Sequence, residues 1–127
     1  RIGSSAASDV YKRQSVNSQM SDEGLEKRLY HSELCMTAGA YQNSTWVIGV
    51  AKAGSEDGHP LIGGSIIVDP DGNVVAKASS EDDELIVHAC DMEACNFGKS
   101  TIFDFARHRR IEHYTRISTQ TGVVRPD

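Results

Sequence analysis

Residues 62–78 read "IGGSIIVDPDGNVVAKA", and this stretch decides the fold. Ile66 and Val68 alternate with Ser65 and Ile67, the chain reaches Asp69, Pro70, Asp71 and Gly72, and Val74 and Ala76 then return. A period of two broken by a Pro and Gly cluster is the pattern of two strands joined by a tight turn. Pro70 presets φ at the second turn position, and Gly72 supplies the left-handed conformation that closes such a turn.

Working outward, residues 22–43 predict a helix. Ser21 suits the N-cap and Glu23 the first turn, where the helix dipole favours an acid. At 100° per residue Leu25, Leu29, Met36 and Ala40 share one stripe, and Tyr30, Leu34, Ala38 and Tyr41 share a second. Two apolar stripes predict contacts on two sides. The run Ala38, Gly39, Ala40 permits close approach of another element, and Asn43 suits the helix end. The apolar run Trp46, Val47, Ile48 and Val50 within residues 45–54 predicts a central strand buried on both faces. A loop, "SEDGHP", leads from it to the hairpin. "ELIVHACD", residues 84–91, predicts a third strand, with Leu85, Val87 and Ala89 on one face and Ile86, His88 and Cys90 on the other. A short helical or extended arm, "IFDFARHRRIEHY", follows.

Composition narrows the class of function. A chain of 127 residues with 39% hydrophobic and 24% charged residues is an ordinary globular domain. Its net charge of −5 argues against nucleic acid and anionic membranes as partners, since both reward excess Lys and Arg. No apolar stretch approaches the ~20 residues that span a bilayer, so the expected location is the cytoplasm. Three cysteines, Cys35, Cys90 and Cys95, are an odd number for a disulfide framework and predict reduced thiols.

Chemical candidates are few. Cys35 has His31 one helical turn earlier, but reactive cysteines sit at helix N-termini or sharp elbows and Cys35 falls mid-helix. His88, Cys90 and Cys95 are soft ligands without zinc spacing or a fourth partner. Ser65 in "GGSII" lacks the second glycine of a nucleophile elbow and enters a strand. Arg107, His108, Arg109 and Arg110 are flanked by Asp104 and Glu112, the pattern of a packing or subunit-contact arm. "SSEDDE", residues 79–84, lacks the spacing of a calcium loop. No metal ligand set and no cofactor are predicted.

The order helix, "AYQNSTWVIGVAKAG", "GGSIIVDPDGNVVAKA", "DELIVHACD", "IFDFARHRRIEHY" resembles the C-terminal part of the nitrilase superfamily of carbon–nitrogen hydrolases. It looks closest to N-carbamoyl-D-amino-acid hydrolases and ureidopropionase-like amidases. The resemblance runs from about Leu25 to Tyr114, and its most specific motif is Gly64, Ser65, Ile67, Pro70 and Gly72. The arm Phe103, Phe105, Arg109, Arg110 and Tyr114 is a second match, and it departs from the family's usual Arg-Arg-Pro at Ile111. The resemblance implies an α/β (α+β) chain, part of a four-layer α-β-β-α sandwich incomplete at its N-terminus. It also implies catalysis by a cysteine, a glutamate and a lysine, all upstream of the matching segment, so that no catalytic residue is assigned here.

What the resemblance further implies is a homo-oligomer acting on a small amide or N-carbamoyl substrate, inactive as this segment alone. Residues 4–14, "SSAASDVYKRQ", show no apolar period and resemble translated read-through of a sequencing adapter. Residues 1–14 are therefore set aside as non-native, and residues 15–127 are read as the C-terminal portion of one hydrolase domain. The alternative is a non-catalytic α/β binding or interaction module.

Overall fold

The computed structural model describes residues 22–122; Ser21 and the segment 1–14 lie outside them. Helix α1 spans Asp22–Asn43, as its two stripes predict. It crosses a three-stranded antiparallel sheet of order β1-β4-β5, formed by β1 (Val47–Gly49), β4 (Ile66–Val68) and β5 (Val74–Lys77). Two short strands, β2 (Ser55–Glu56) and β3 (His59–Pro60), pair on their own in the loop between β1 and β4. Helices α2 (Ala94–Ser100), α3 (Phe105–His108) and α4 (Thr115–Thr119) follow, with a 3-10 turn at Ile111–His113.

The hairpin forms where the alternation places it. Ile66 faces Lys77 and Val68 faces Val74 across the ladder, with a bulge after Ile67. Gly72 donates its N–H to the Asp69 carbonyl, Asp69 donates to the Asn73 carbonyl, and Gly72 sits at φ +86°. A type I turn closed by a left-handed glycine gives this pattern, and the bulge absorbs the extra residue. All three residues of β4 are buried.

One stripe of α1 covers this strand. Ala40 is fully buried against Ile66 and Val68, with Met36, Val47 and Val74 around them. Close approach therefore comes from Ala40 and from Gly49, whose missing side chain leaves room for Met36. The neighbouring Gly39 has nothing within 4 Å of where a Cβ would stand. The second stripe faces outward, with Tyr30, Leu34 and Tyr41 exposed.

α1 ends at Asn43, as expected, and Ser44 makes the turn that closes it. Ser44 sits at φ +43°; its N–H reaches the Tyr41 carbonyl, and that of Thr45 reaches Ala40. This is a Schellman ending with serine where glycine is usual. The serine is held by burial and by its Oγ donating to the Cys95 carbonyl at 3.1 Å.

Two strand expectations are corrected. β1 is an edge strand of three residues, and Ile48 and Val50 are 63% and 76% exposed. An apolar run is buried on both faces only where layers cover both, and α1 covers one. Residues 84–91 form no strand: the segment runs without a ladder partner among the described residues, and Leu85 and Val87 are 87% and 77% exposed. Alternation prescribes which side chains share a face, but a strand exists only where a neighbour accepts its backbone hydrogen bonds.

Two glycines separate strain from propensity. Gly72→Ala puts a Cβ in the left-handed region 3.2 Å from the Thr37 carbonyl oxygen, and should lower unfolding stability by about 1–2 kcal/mol. Gly39→Ala, in open helix, should raise it by about 0.5–1 kcal/mol. Urea unfolding followed by far-UV circular dichroism measures both.

Candidate functional site

The motif Gly64, Ser65, Ile67, Pro70 and Gly72 spans the start of β4 and the turn beyond it. Gly63 and Gly64 take φ of +57° and +82°, so the chain reverses sharply into the strand. A Cβ on Gly64 would lie 2.7 Å from Leu29 Cδ2, so this reversal is pressed against α1. Ser65 follows as a clamp. Its Oγ accepts from the Ala51 N–H at 3.0 Å and donates to the Ala51 carbonyl at 3.3 Å. The Ser65 carbonyl in turn accepts from Ala78. The hydroxyl thus joins β4 to the chain leaving β1, and Ile67 and Pro70 are buried on either side of Val68.

Between these points runs the loop 50–64. Gly63 donates to the Lys52 carbonyl, Leu61 to Gly54, and Gly54 to Glu81. Asp57 and Gly58, at φ +53° and +78°, make the two-residue turn between β2 and β3. Lys52 Nζ meets Glu56 at 2.7 Å. A shallow cleft opens where the loop meets α1, bordered by Ser32, Met36, Lys52, Leu61 and Gly64. It holds one cation already engaged with a carboxylate and no thiol, imidazole or free carboxylate.

The other candidates do not assemble. Cys35 is exposed on α1, and His31 lies against Tyr30, ring centroids 5.8 Å apart. Ser65 spends its hydroxyl on Ala51. His88 stands beside Trp46 at 5.7 Å, Cys90 points to the His88 carbonyl, and Cys95 is buried beneath Ser44. Among the described residues no three His, Cys, Asp or Glu side chains are grouped to hold a metal ion. In "SSEDDE", Glu84 turns back to accept the N–H groups of Ser79 and Ser80, each at 2.8 Å, which is a loop closure.

The arm is anchored at its root. Phe103 meets the Tyr41 ring edge-on at 5.1 Å and Phe105 at 6.2 Å. Asp104 caps α3 by accepting from the Arg107 N–H. Further out, the Arg109 guanidinium lies 5.9 Å from the Tyr114 ring centroid, and Arg110 is exposed.

Electrostatics single out the turn. Partial burial works against the charge of Asp69, yet hydrogen bonds from the Asn73 side chain and from the backbone N–H groups of Asn73, Asp71 and Gly72 outweigh it. They hold the carboxyl below its ordinary value. Sequence reasoning found the turn but missed this carboxylate. It also missed Ser44 and the Trp46 Nε1 bond to the Asp91 carbonyl at 2.9 Å; each depends on a partner reached through the fold or on a backbone angle.

With this geometry in place, comparison with known proteins is informative. Residues 5–99 match the sequence model of the carbon-nitrogen hydrolase family. The chain belongs to that family. The match begins inside the stretch set aside above. A crystal structure of a carbon-nitrogen hydrolase from Helicobacter pylori G27 superposes with a TM-score of 0.72 at 23% identity, covering 84% of this chain and 39% of that one. The helix, sheet and hairpin are therefore those of the nitrilase-type fold, and the chain spans 39% of the solved hydrolase's length.

The clamp and the turn give separable predictions. Ser65→Ala leaves the Ala51 amide and carbonyl without their partner and should cost about 1–2 kcal/mol of stability. For Asp69 the folded carboxyl titrates below its ordinary value of 3.8. Its stabilisation is therefore complete above that value and lost as pH falls through the lower folded one. Asp69→Asn should remove that part of the acid slope in a pH series of chemical denaturation, and an unchanged slope would place the acid sensitivity elsewhere.

Proposed function

We propose that this chain is the C-terminal scaffold of a cofactor-independent amidohydrolase cleaving C–N bonds of N-carbamoyl amino acids or similar small amides. The observation that carries the reading is the family match over residues 5–99, joined to a hairpin in which Ser65 ties to the Ala51 backbone and Asp69 to Asn73. In the mechanism that the resemblance implies, a cysteine thiolate attacks the carbamoyl or amide carbon. A glutamate takes the thiol proton as general base, and a lysine stabilises the oxyanion of the tetrahedral intermediate. Ammonia or an amine leaves, and water cleaves the resulting thioester-like intermediate.

None of these three roles falls on a residue of this chain. Its thiols are mid-helix, beside a carbonyl, or buried, and its cleft lysine is paired. The part played here is architectural: α1 and the hairpin hold the sheet on which such a site is built, and the loop 50–64 borders its mouth. Residues 15–127 are the portion of the domain that does this.

Three unpaired thiols support a cytoplasmic setting, and no helix among the described residues is long and apolar enough to cross a membrane. The net charge of −5 supports a small-molecule substrate over nucleic acid.

The test is an ammonia-release assay with N-carbamoyl amino acids of both hands. The chain alone should give no turnover, and Cys35→Ser, Cys90→Ser and Cys95→Ser should leave that background unchanged. Sequencing the source DNA upstream of codon 15 should show a longer frame carrying a cysteine elbow preceded by a glutamate and a lysine; that longer protein should release ammonia. Turnover by the chain alone, abolished by one of the cysteine variants, would overturn the scaffold assignment.

A further inference from the structure

The chain contains two Asp-Gly pairs, Asp57-Gly58 and Asp71-Gly72, and both lie in turns. In such a pair the aspartate carboxyl has little to keep it from the next backbone nitrogen, because glycine has no Cβ to crowd the approach and leaves its backbone free to rotate. A bond between the two closes a succinimide ring. Whether it forms depends on how firmly each turn is held.

The second pair is held on every side. The Gly72 N–H, whose nitrogen would attack, donates to the Asp69 carbonyl at 3.0 Å. Asp69 Oδ1 accepts from the Asp71 N–H at 3.0 Å and from the Asn73 N–H at 2.8 Å. A Cβ at position 72 would stand 3.2 Å from the Thr37 carbonyl oxygen of α1, and the hairpin is rooted in β4, whose three residues are buried. Asn43, which precedes Ser44, is closed off in a similar way: its Nδ2 donates to the Gly39 carbonyl and the Ser44 N–H to that of Tyr41.

The first pair has no such ties. β2 and β3 have two residues each, and a two-stranded hairpin by itself is marginal in water. Asp57 and Gly58 are exposed, and nothing stands within 4 Å of where a Gly58 Cβ would be. Among the described residues no backbone hydrogen bond engages the Gly58 N–H. Asp57 sits at φ +53°, a left-handed conformation that disfavours a residue with a Cβ. The rest of the loop is tied outside this hairpin, Gly54 to Glu81, Leu61 to Gly54 and Gly63 to Lys52, so the tip opens while its base stays closed.

We propose that Asp57 is a modification site: it converts to isoaspartate through a succinimide formed with Gly58, while Asp71 does not. The Gly58 nitrogen bonds to Asp57 Cγ, the C–OH bond of the protonated carboxyl breaks, and the hydroxyl leaves with the amide proton as water. Water then opens the ring. Attack at Cγ restores aspartate, and attack at the α-carbonyl carbon gives isoaspartate, in which the chain runs on through Cγ and the former α-carboxyl hangs free as a carboxylate. No oxidant or cofactor is consumed, and the product has the mass of the parent. Its backbone carries one more carbon, so the pairing of Glu56 with His59 loses its register. The proposal does not depend on the reaction assigned above.

The test is an ageing experiment at physiological temperature and pH, run on the folded chain beside a sample kept unfolded in guanidinium chloride. Isoaspartate is read by methyl transfer from S-adenosylmethionine, using an isoaspartyl methyltransferase as the probe, and is located by peptide mapping with electron-transfer fragmentation. In the folded sample it should accumulate at 57 and stay at its starting level at 71. In the unfolded sample the two positions should age alike, because unfolding removes the ties to Asp69. Asp57→Glu, whose longer side chain does not close this ring, should lose the methyl acceptance of the folded chain with its far-UV circular dichroism unchanged.

Isoaspartate at 71 matching that at 57 in the folded chain, none at 57 once the unfolded chain has acquired it, a preference for 57 that persists after unfolding, or methyl acceptance that survives Asp57→Glu would each overturn the proposal.

Discussion

The burial of β4 beneath α1 is the contact on which the rest of this chain depends. Ile66 and Val68 are closed over by Ala40, and α1 can come that close only because alanine stands at 40 and glycine at 49. Burying one aliphatic side chain of this size contributes about 1.5–3 kcal/mol, and few side chains in the described residues are buried so completely. The turn at Gly72 rests on the same helix: a Cβ built there would stand 3.2 Å from the Thr37 carbonyl oxygen and 3.3 Å from the Tyr41 Cβ. The family motif therefore does two jobs at once: it closes a hairpin, and it keeps both ends of that hairpin free of side chains where α1 crosses.

A sheet covered on one face has consequences away from its core. Among the described residues, Ile48 on the edge strand has no layer over it, and the alternating segment 84–91 has no strand beside it. Meanwhile the outward stripe of α1 presents Tyr30, Leu34 and Tyr41, and Tyr41 meets Phe103 edge-on. A chain that spans 39% of a solved family member leaves such surfaces open, because the layers that complete a sandwich come from residues distant in sequence. The polar groups compensate locally. Ser44, Trp46 and Glu84 each satisfy backbone atoms of a segment that has no ladder, and so hold residues 79–98 in place without a strand.

How much was legible beforehand follows from how local each signal is. α1 was readable to its described ends because its periodicity and the polar residues after Ala40 lie within the helix itself. The hairpin was readable because Pro70 and Gly72 encode their own backbone angles. α2, at Ala94–Ser100, gave no signal, since its short sequence carries no apolar stripe and its place depends on Cys95 and Gly98 being buried beside Ser44. The proposed site was legible as a motif, yet the two bonds of Ser65 to Ala51 needed the loop 50–64 to be closed first.

What the sequence alone determined is thus the helix, the hairpin, and the separation of acidic and basic stretches. Each is a property of neighbours along the chain. The tertiary structure decided that Ser44 takes the left-handed turn after the helix end at Asn43, that Ser65 is a clamp, and that the apolar stretches 47–50 and 84–91 differ in fate. The first of these pairs with β4, while the second finds no ladder partner among the described residues. Burial and pairing are relations between residues far apart in sequence, and no local pattern can state which face another layer will cover.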